Sequence, residues 1–233
     1  MSSPPPPAEL DELADACRVL AHEGHNDLTL GHLSLRDPDG RGFWLKRPGR
    51  GLDEVTGARD FQLLDWDGGG DTAEPVHIEW PIHAGVLAAR PDLQVVGHTH
   101  PYWGHLASCR AEPLRLIGNE GAAFTSGIPR FDRTPDLIRS ADLGRDVARA
   151  LGDARAVLLV HHGVVFGGGT VAEAVLTGLW LERLCRTNLL LGGAASEIAV
   201  DVLAEKATRT FSESAVRQHW NYLRRTLTAR SAP

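Results

Sequence analysis

The alternation of apolar and polar positions divides the first third of the chain into a helix and three strands. Apolar residues recur at helical spacing over residues 8–22, and Gly24 follows as a stop signal. Residues 32–36 and 42–46 have the pattern of two strands, and the Asp39-Gly40 pair between them is a hairpin signal. Residues 61–69 favour a further strand that ends in a glycine turn.

The remaining pattern predicts a helix, a strand, a helix, a strand and two helices. They cover about residues 78–89, 92–100, 134–151, 156–167, 171–191 and 212–227. Thr134-Pro135 is typical of an N-cap followed by proline in the first helical position. The strand at 156–167 is interrupted by Gly163, and helix 171–191 is apolar on nearly all sides, which favours burial in the core or at a subunit contact.

The pattern contains no internal repeat and no convincing linker. Residues 1–7 form a proline-rich leader that we expect to be disordered. We therefore predict a single α/β domain over residues 8–233.

Composition excludes several classes of protein. Hydrophobic residues make up 42% and the formal net charge is −6, without a Lys/Arg block, so nucleic acid is not an expected partner. No run of about 18 apolar residues predicts a membrane span. The start of the chain has no secretory pattern, so we expect a cytoplasmic protein. Three cysteines without CxxC spacing, Cys17, Cys109 and Cys185, are expected to be reduced thiols.

The spacing of the histidines is the strongest chemical signal. His98 and His100 end the predicted strand at 92–100, and side chains two apart on a strand point to the same side. Two imidazoles on one face can hold one metal ion, with bonds of about 2.0–2.1 Å. The alternative is a pair of polar residues at a strand end.

Two further sites could complete this histidine pair. His161 and His162 end a second apolar strand, and because neighbouring strand residues face opposite sides, only one of them can join the cluster. Glu79 and His83 share one helix face. They form either a surface ion pair or an arrangement that directs Glu79 at a metal as a general acid/base.

These segments together resemble the class II aldolase/adducin family. The likeness rests on GHLS (31–34), HIEWPIHAGVLAARPDLQVVGHTHP (77–101) and LLVHHGVV (158–165), and it runs over about residues 8–225. It implies a three-layer α/β/α sandwich with a central, largely antiparallel sheet, and a tetramer with the active site at a subunit contact. It also implies that His98, His100 and His162 bind one divalent metal ion, most often zinc and otherwise manganese or iron, with Glu79 as the acid/base.

The chain departs from the sugar-phosphate aldolases that it resembles. Their phosphate-binding pairs are replaced by Gly31-His32, Pro48-Gly49 and His77-Ile78, which lack most of the hydroxyl and amide donors. Arg47 and Arg50 flank the Pro48-Gly49 pair. They either pair with a substrate carboxylate or belong to a solvated basic loop. HIEWPIH, PLRLIGNEGAAF (113–124) and QHWNYLRR (218–225) resemble instead the branch that decarboxylates hydroxylated aromatic or pyridine dicarboxylic acids.

We therefore expect a metal-dependent carbon–carbon lyase that decarboxylates a hydroxylated aromatic carboxylic acid. The alternatives are an aldolase for an unphosphorylated hydroxy-carbonyl substrate, an iron-dependent oxygenase, and a non-catalytic scaffold. The candidate substrate-binding residues are Gly31, His32, Arg47, Arg50, His77 and Tyr102. The roles of His83, His105 and His161 are left open.

Overall fold

The computed structural model describes residues 8–70, 74–194 and 196–230, with side chains to residue 227. The predicted leader, residues 1–7, lies outside the described residues. Within the described part of the chain, no helix is both long and apolar enough to cross a membrane.

The described residues form one seven-stranded sheet. Its strands are β1 (His32–Arg36), β2 (Phe43–Lys46), β3 (Phe61–Leu64), β4 (Val95–Thr99), β5 (Arg130–Phe131), β6 (Ala156–Leu159) and β7 (Gly163–Gly168). The order is β3-β2-β1-β4-β7-β6-β5. Only β5 and β6 pair in parallel, so the prediction of a largely antiparallel sheet is confirmed.

Helices cover both faces of the sheet, as the three-layer prediction requires. The α-helices are α1 (Glu9–Leu20), α2 (Trp80–Ala89), α3 (Tyr102–Ser108), α4 (Ala141–Leu151), α5 (Val171–Leu191), α6 (Val200–Thr210) and α7 (Glu213–Arg230). Apolar residues of α1, α5 and α7 form one core with one face of the sheet, which contributes Leu33 and Phe166. Those of α2 and α4 form a second core with the other face, which contributes Val96 and Val165.

The close packing of α2 against α4 fixes the helix that follows Glu79. A Cβ atom at Gly144 in α4 would lie 2.1 Å from the carbonyl oxygen of Pro81, in the first turn of α2. Only glycine permits this approach, which holds the start of α2 against α4.

The prediction that a helix begins at Thr134 was wrong. It begins at Ala141, where the Ser140 hydroxyl accepts the N–H of Leu143 as an N-cap. Thr134 instead closes a local turn, in which its hydroxyl accepts the N–H of Asp136. The N–H of Ile138 donates to the Glu79 carboxylate at 2.8 Å, and this long-range bond holds the segment outside the helix.

The apolar run at 156–167 is two antiparallel strands rather than one. β6 and β7 pair through Leu159 and Gly163, with a tight turn at residues 160–162. His161 has φ +59°, a left-handed conformation. His161 and His162 therefore lie in a turn, and the alternation rule for strands does not apply to them. Helices α3 and α6 and strand β5 lie in segments for which no element was predicted.

Candidate metal centre

Three segments of the chain bring one carboxylate and three imidazoles together. His98 is the penultimate residue of β4, and His100 follows that strand directly. His162 comes from the β6–β7 turn, and Glu79 is the residue before α2. One ligand atom from each of these residues lies within 4.8 Å of all the others. The side chains of Glu79, His98 and His162 are buried and that of His100 is partly buried, so the group is largely removed from solvent.

Hydrogen bonds turn the Nε2 atoms of His98 and His100 toward each other. His98 Nδ1 donates to the carbonyl oxygen of Val164 at 2.9 Å, and His100 Nδ1 donates to the Asp27 carboxylate at 3.0 Å. Because both partners are acceptors only, each Nδ1 carries a proton, and in a neutral ring the Nε2 keeps a lone pair. The two Nε2 atoms are 3.1 Å apart, and two lone pairs facing each other at this distance are unfavourable unless a proton or a metal cation lies between them.

His162 has both ring nitrogens buried without a hydrogen-bond partner. Its Nε2 lies 3.6 Å from Glu79 Oε1. The backbone position is fixed by His105, whose Nδ1 donates to the His162 carbonyl oxygen at 3.0 Å. His161 is exposed, so it is His162 that the structure places in the cluster.

The two oxygens of Glu79 are held in different ways. Oε2 is 3.4 Å from His98 Nε2, and Oε1 accepts the N–H of Ile138. Burial alone would raise the pKa of Glu79, but positive charge on the His98 and His162 rings, and hydrogen bonds donated by those rings, outweigh burial and hold that pKa below its ordinary value. The side chain is therefore an ionised carboxylate at neutral pH.

This donor set fits a divalent cation. Three imidazole nitrogens and a carboxylate oxygen are the ligands that zinc takes in proteins, and iron or manganese accepts a similar set. The unpartnered nitrogens of His162 and the facing Nε2 atoms of His98 and His100 are the observations that carry this fit.

A second layer of histidines lies behind the cluster. His32 on β1 is paired with His98 across the sheet, and their ring centroids are 5.2 Å apart. His32 Nδ1 is 2.6 Å from His83 Nε2, and His83 Nδ1 is 2.7 Å from Ser34 Oγ. Burial, together with the surrounding imidazoles, lowers the pKa of His32 and of His83 well below the ordinary value, so both rings are neutral at neutral pH.

His77 and Lys46 line the same region. Burial and the nearby Lys46 charge lower the pKa of His77 to about 4, against a hydrogen bond to the Arg47 backbone that raises it. The Nε2 of His77 is buried without a partner. Lys46 is fully buried, and its ammonium donates to the carbonyl oxygens of Arg47 and Arg50 at 3.2 and 2.6 Å.

The other residues expected to bind substrate have different surroundings. Arg47 forms an ion pair with Glu74, and the Arg50 guanidinium lies 3.4 Å from Asp60, so both cations are matched by carboxylates of the chain. Tyr102 is 66% exposed and its ring contacts Trp103. Gly31 has φ +73° directly before β1 and lies against Thr99 and the His98 backbone.

Two groups that support the cluster carried no sequence signal. Asp27 and the N–H of Ile138 are 73 and 59 positions away from the residues that they bind. Nothing in the local pattern around either residue indicates a site, so only the fold reveals them.

A family model described as the Class II Aldolase and Adducin N-terminal domain matches residues 11–189. A 3,4-dihydroxyphthalate decarboxylase from Arthrobacter keyseri is 34% identical over 218 residues, which are 84% of this chain and 84% of that protein.

Solved structures show the same architecture. An aldolase II superfamily protein from Pseudomonas syringae has a TM-score of 0.83 at 26% identity, covering 98% of this chain and 96% of its own. The L-fuculose 1-phosphate aldolase from Glaciozyma antarctica PI12 has a TM-score of 0.78 at 25% identity, covering 96% and 93%.

Proposed function

This chain belongs to the class II aldolase and adducin family and is a lyase, and from that premise we propose that it decarboxylates a hydroxylated aromatic carboxylic acid. The observation that carries the proposal is the cluster of Glu79, His98, His100 and His162. The decarboxylase from Arthrobacter keyseri supports the choice of reaction within the family.

The cluster suits the central difficulty of this reaction. Breaking a bond between two carbons leaves an electron pair that must be stabilised. A divalent cation held by the three histidines would act as a Lewis acid on a substrate oxygen next to that carbon. The chain itself supplies the orientation: Val164 and Asp27 fix the rings of His98 and His100, and Ile138 fixes Glu79.

Glu79 is the group that moves the proton. Its carboxylate accepts the proton of a substrate hydroxyl that neighbours the carboxylate to be lost. The bond from the ring carbon to the carboxylate carbon then breaks, carbon dioxide leaves, and the electron pair stays on the ring system. Glu79 returns its proton to that ring carbon, and the phenolate oxygen recovers a proton from solvent on release.

A carboxylate substrate also agrees with the charge of this region. Lys46 is buried among backbone carbonyls, and its positive charge acts on both His32 and His77. The phosphate-binding hydroxyl and amide pairs of the sugar-phosphate aldolases are replaced here. A planar, singly charged group therefore suits this site better than a phosphate.

The first test combines metal analysis with a panel of substrates. We expect about one zinc, manganese or iron ion per chain in the purified protein. Carbon dioxide should be released from hydroxylated aromatic acids such as 3,4-dihydroxyphthalate and 2,3-dihydroxybenzoate. Absence of metal after loading, or no carbon dioxide from any acid of the panel, would contradict the proposal.

The substitution Glu79→Gln tests the proton carrier. Glutamine keeps an oxygen for the Ile138 N–H and leaves the three imidazoles in place, so the protein should still bind metal. Turnover should fall by about 100-fold or more, because proton transfer by a positioned group contributes that much. The exposed Glu213→Gln is the matched control and should keep full activity.

An aldolase reaction is the second candidate, and the solved fuculose phosphate aldolase favours it. Cleavage of an unphosphorylated hydroxy-carbonyl compound, without release of carbon dioxide, would establish it. Oxygen uptake by the iron-loaded protein would indicate the oxygenase alternative instead.

We further propose that copies of the chain assemble around the site, as a homotetramer. Apolar side chains that flank the site residues in sequence are strongly exposed in the single chain: Leu28 is 80% exposed, Leu30 49%, Ile78 54% and Tyr102 66%. Burying them against another copy would be favourable. Light scattering should give about four times the 25.2 kDa mass of one chain, and a monomer would contradict the assembly.

A further inference from the structure

The short helix α3 connects two of the residues in the metal cluster. It begins two residues after His100, and its fourth residue, His105, donates to the carbonyl oxygen of His162 at 3.0 Å. Neither ring nitrogen of His162 has a hydrogen-bond partner among the described residues. The placement of that ring therefore depends on how its backbone is held, and α3 is one of the elements that hold it.

Small side chains make up the buried face of α3. Its buried residues are Gly104, Ala107 and Ser108, while Trp103 packs against the core and stays partly exposed. Burial of such small side chains contributes little free energy. The N-cap is Pro101, which has no side-chain acceptor for the first N–H groups of the helix. Polar contacts from other elements are therefore needed to hold this end of α3.

Glu182 of α5 supplies the acceptor that the N-cap lacks. Its Oε1 accepts the N–H of Trp103 at 2.9 Å, and its Oε2 accepts the N–H of Gly104 at 2.7 Å. Both oxygens of the side chain are thus used on two consecutive N–H groups in the first turn of α3. These are groups that a helix cannot satisfy from within itself, and leaving them unmatched away from water is costly.

Glycine at position 104 makes this contact close. A Cβ atom there would lie 2.9 Å from Val164 Cγ1 and 3.3 Å from Glu182 Oε2. Val164 is also the residue whose carbonyl oxygen accepts the Nδ1 proton of His98. Helices α3 and α5 and strand β7 therefore meet at Gly104, next to the backbone groups that support the cluster.

We propose that Glu182 is a positioning residue for the metal ligand His162, and that it acts through α3 and His105. Loss of its two contacts releases the start of α3, and His105 then no longer holds the His162 carbonyl in place. The inference rests on the metal centre of the proposed function but not on the reaction. A protein that binds metal through His162 and releases no carbon dioxide would contradict the decarboxylation alone.

Glu182→Gln tests the first step in the metal-free protein. Glutamine has one acceptor oxygen and an NH₂ donor, so one of the two N–H groups loses its acceptor. Amide hydrogen exchange at Trp103 and Gly104 should quicken by about tenfold, the value of one hydrogen bond. Glu173→Gln is the matched control on the same helix, because Glu173 accepts the N–H of Gly169. It should leave both exchange rates unchanged.

The effect on the metal ligand is tested by NMR of the protein loaded with ¹¹³Cd and labelled with ¹⁵N at histidine. Each coordinating ring nitrogen couples to the metal nucleus, so the parent protein should show couplings to His98, His100 and His162. Glu182→Gln should weaken or remove the coupling to His162 and keep the other two. Its zinc affinity should fall by about tenfold, as for loss of an outer partner of a ligand. Glu173→Gln should keep all three couplings and the parent affinity.

Two substitutions at His105 test the link between α3 and His162. His105→Leu removes the Nδ1 proton donor and should have the same effect on the cadmium couplings as Glu182→Gln. His105→Asn places an amide N–H near the position of Nδ1 and should keep the His162 coupling. Adding Glu182→Gln to His105→Leu should reduce zinc affinity little further, because the connection is already interrupted.

Three results would overturn the proposal. One is a parent protein without a cadmium coupling to His162. Another is a Glu182→Gln protein in which the His162 coupling is as strong as in the parent. The third is an equal loss of all three couplings in Glu182→Gln, as a general structural role for this side chain would produce.

Discussion

Three of the four residues of the candidate centre are each held by a hydrogen-bond partner outside the cluster. His98 donates to the Val164 carbonyl, His100 donates to Asp27, and Glu79 accepts from Ile138. Such partners fix the tautomer and the ring orientation of a histidine ligand and raise its basicity. Asp27 is the one of the three that a side-chain substitution can remove.

Asp27→Ala should therefore weaken zinc binding by about 10–100-fold, the usual effect of losing the outer partner of a histidine ligand. Competition with a coloured chelator measures the change. Asp67→Ala removes a carboxylate from an exposed turn and should leave the affinity as it was. An unchanged affinity in Asp27→Ala would show that His100 is either not a ligand or oriented without Asp27.

At this scale the sequence predicted the residues that carry the chemistry but not those that orient them. His98 and His100 follow from strand alternation, while the choice of His162 over His161 needed a family motif and is supported by the buried Nε2 of His162. Asp27 and Ile138 reach the cluster across long stretches of sequence. A contact of that kind is set by how elements pack, and no local spacing encodes it.

Among the elements, the β6–β7 hairpin brings His162 beside the end of β4. Gly163 opens β7 directly after His162, where β7 pairs with β4 through Val164 and Thr99. A Cβ atom at Gly163 would lie 2.5 Å from His100 Cδ2 and 2.6 Å from the Thr99 carbonyl oxygen. The hairpin can approach His100 this closely only because residue 163 has no side chain.

Gly163→Ala should thus displace His100 or separate β7 from β4. We expect the free energy of unfolding to fall by about 1–3 kcal/mol, as for other overpacked positions, and zinc affinity to fall with it. Urea unfolding and the chelator assay measure the two effects. Gly193→Ala is the control, since a Cβ atom there meets nothing within 4 Å. A stable Gly163→Ala protein with full zinc affinity would show that the hairpin can move without cost.

The predicted boundaries of elements were wrong where long-range hydrogen bonds or uniform burial override the local sequence signal. Thr134-Pro135 has the local form of a helix start, yet the Ile138 N–H is used by Glu79 and the helix begins after Ser140. The run at 156–167 is apolar on both sides of His161 and His162 because both β6 and β7 are buried, and its hydropathy was therefore interpreted as one interrupted strand rather than two. The helix Val171–Leu191 has the extent that its apolar pattern predicted, and the structure shows defined ends, with the Thr170 hydroxyl accepting the N–H of Glu173 and Gly192 as the C-cap.

The molecule as a whole holds an unusual number of neutral histidines in its interior. His25, His32 and His83 are at most 3% exposed, and His77 is partly buried. Burial lowers the pKa of each, to about 3 for His25 and about 4 for His77. The unfolded chain has an ordinary histidine pKa near 6.5 at every one of these positions.

This difference makes the metal-free protein sensitive to acid. Between about pH 6.5 and pH 4 the unfolded state binds protons that the folded state does not, so the free energy of unfolding decreases as the pH falls. Each such histidine contributes about 1.4 kcal/mol per pH unit, and four together approach the whole stability of a typical domain within about two units. Above about pH 7 these groups should cause no pH dependence.

Urea unfolding of the metal-free protein across this pH range measures the effect. Substituting one histidine at a time assigns to it its share of the pH dependence. His25 is buried, and its Nδ1 lies 2.9 Å from the hydroxyl of Thr99 at the end of β4. His25→Gln should reduce the slope of the unfolding free energy against pH by about one proton, whatever it does to stability at pH 8. The exposed His219→Gln should leave the slope unchanged. If the slope is the same in His25→Gln as in the parent protein, His25 is protonated in the folded state, and burial does not hold it neutral.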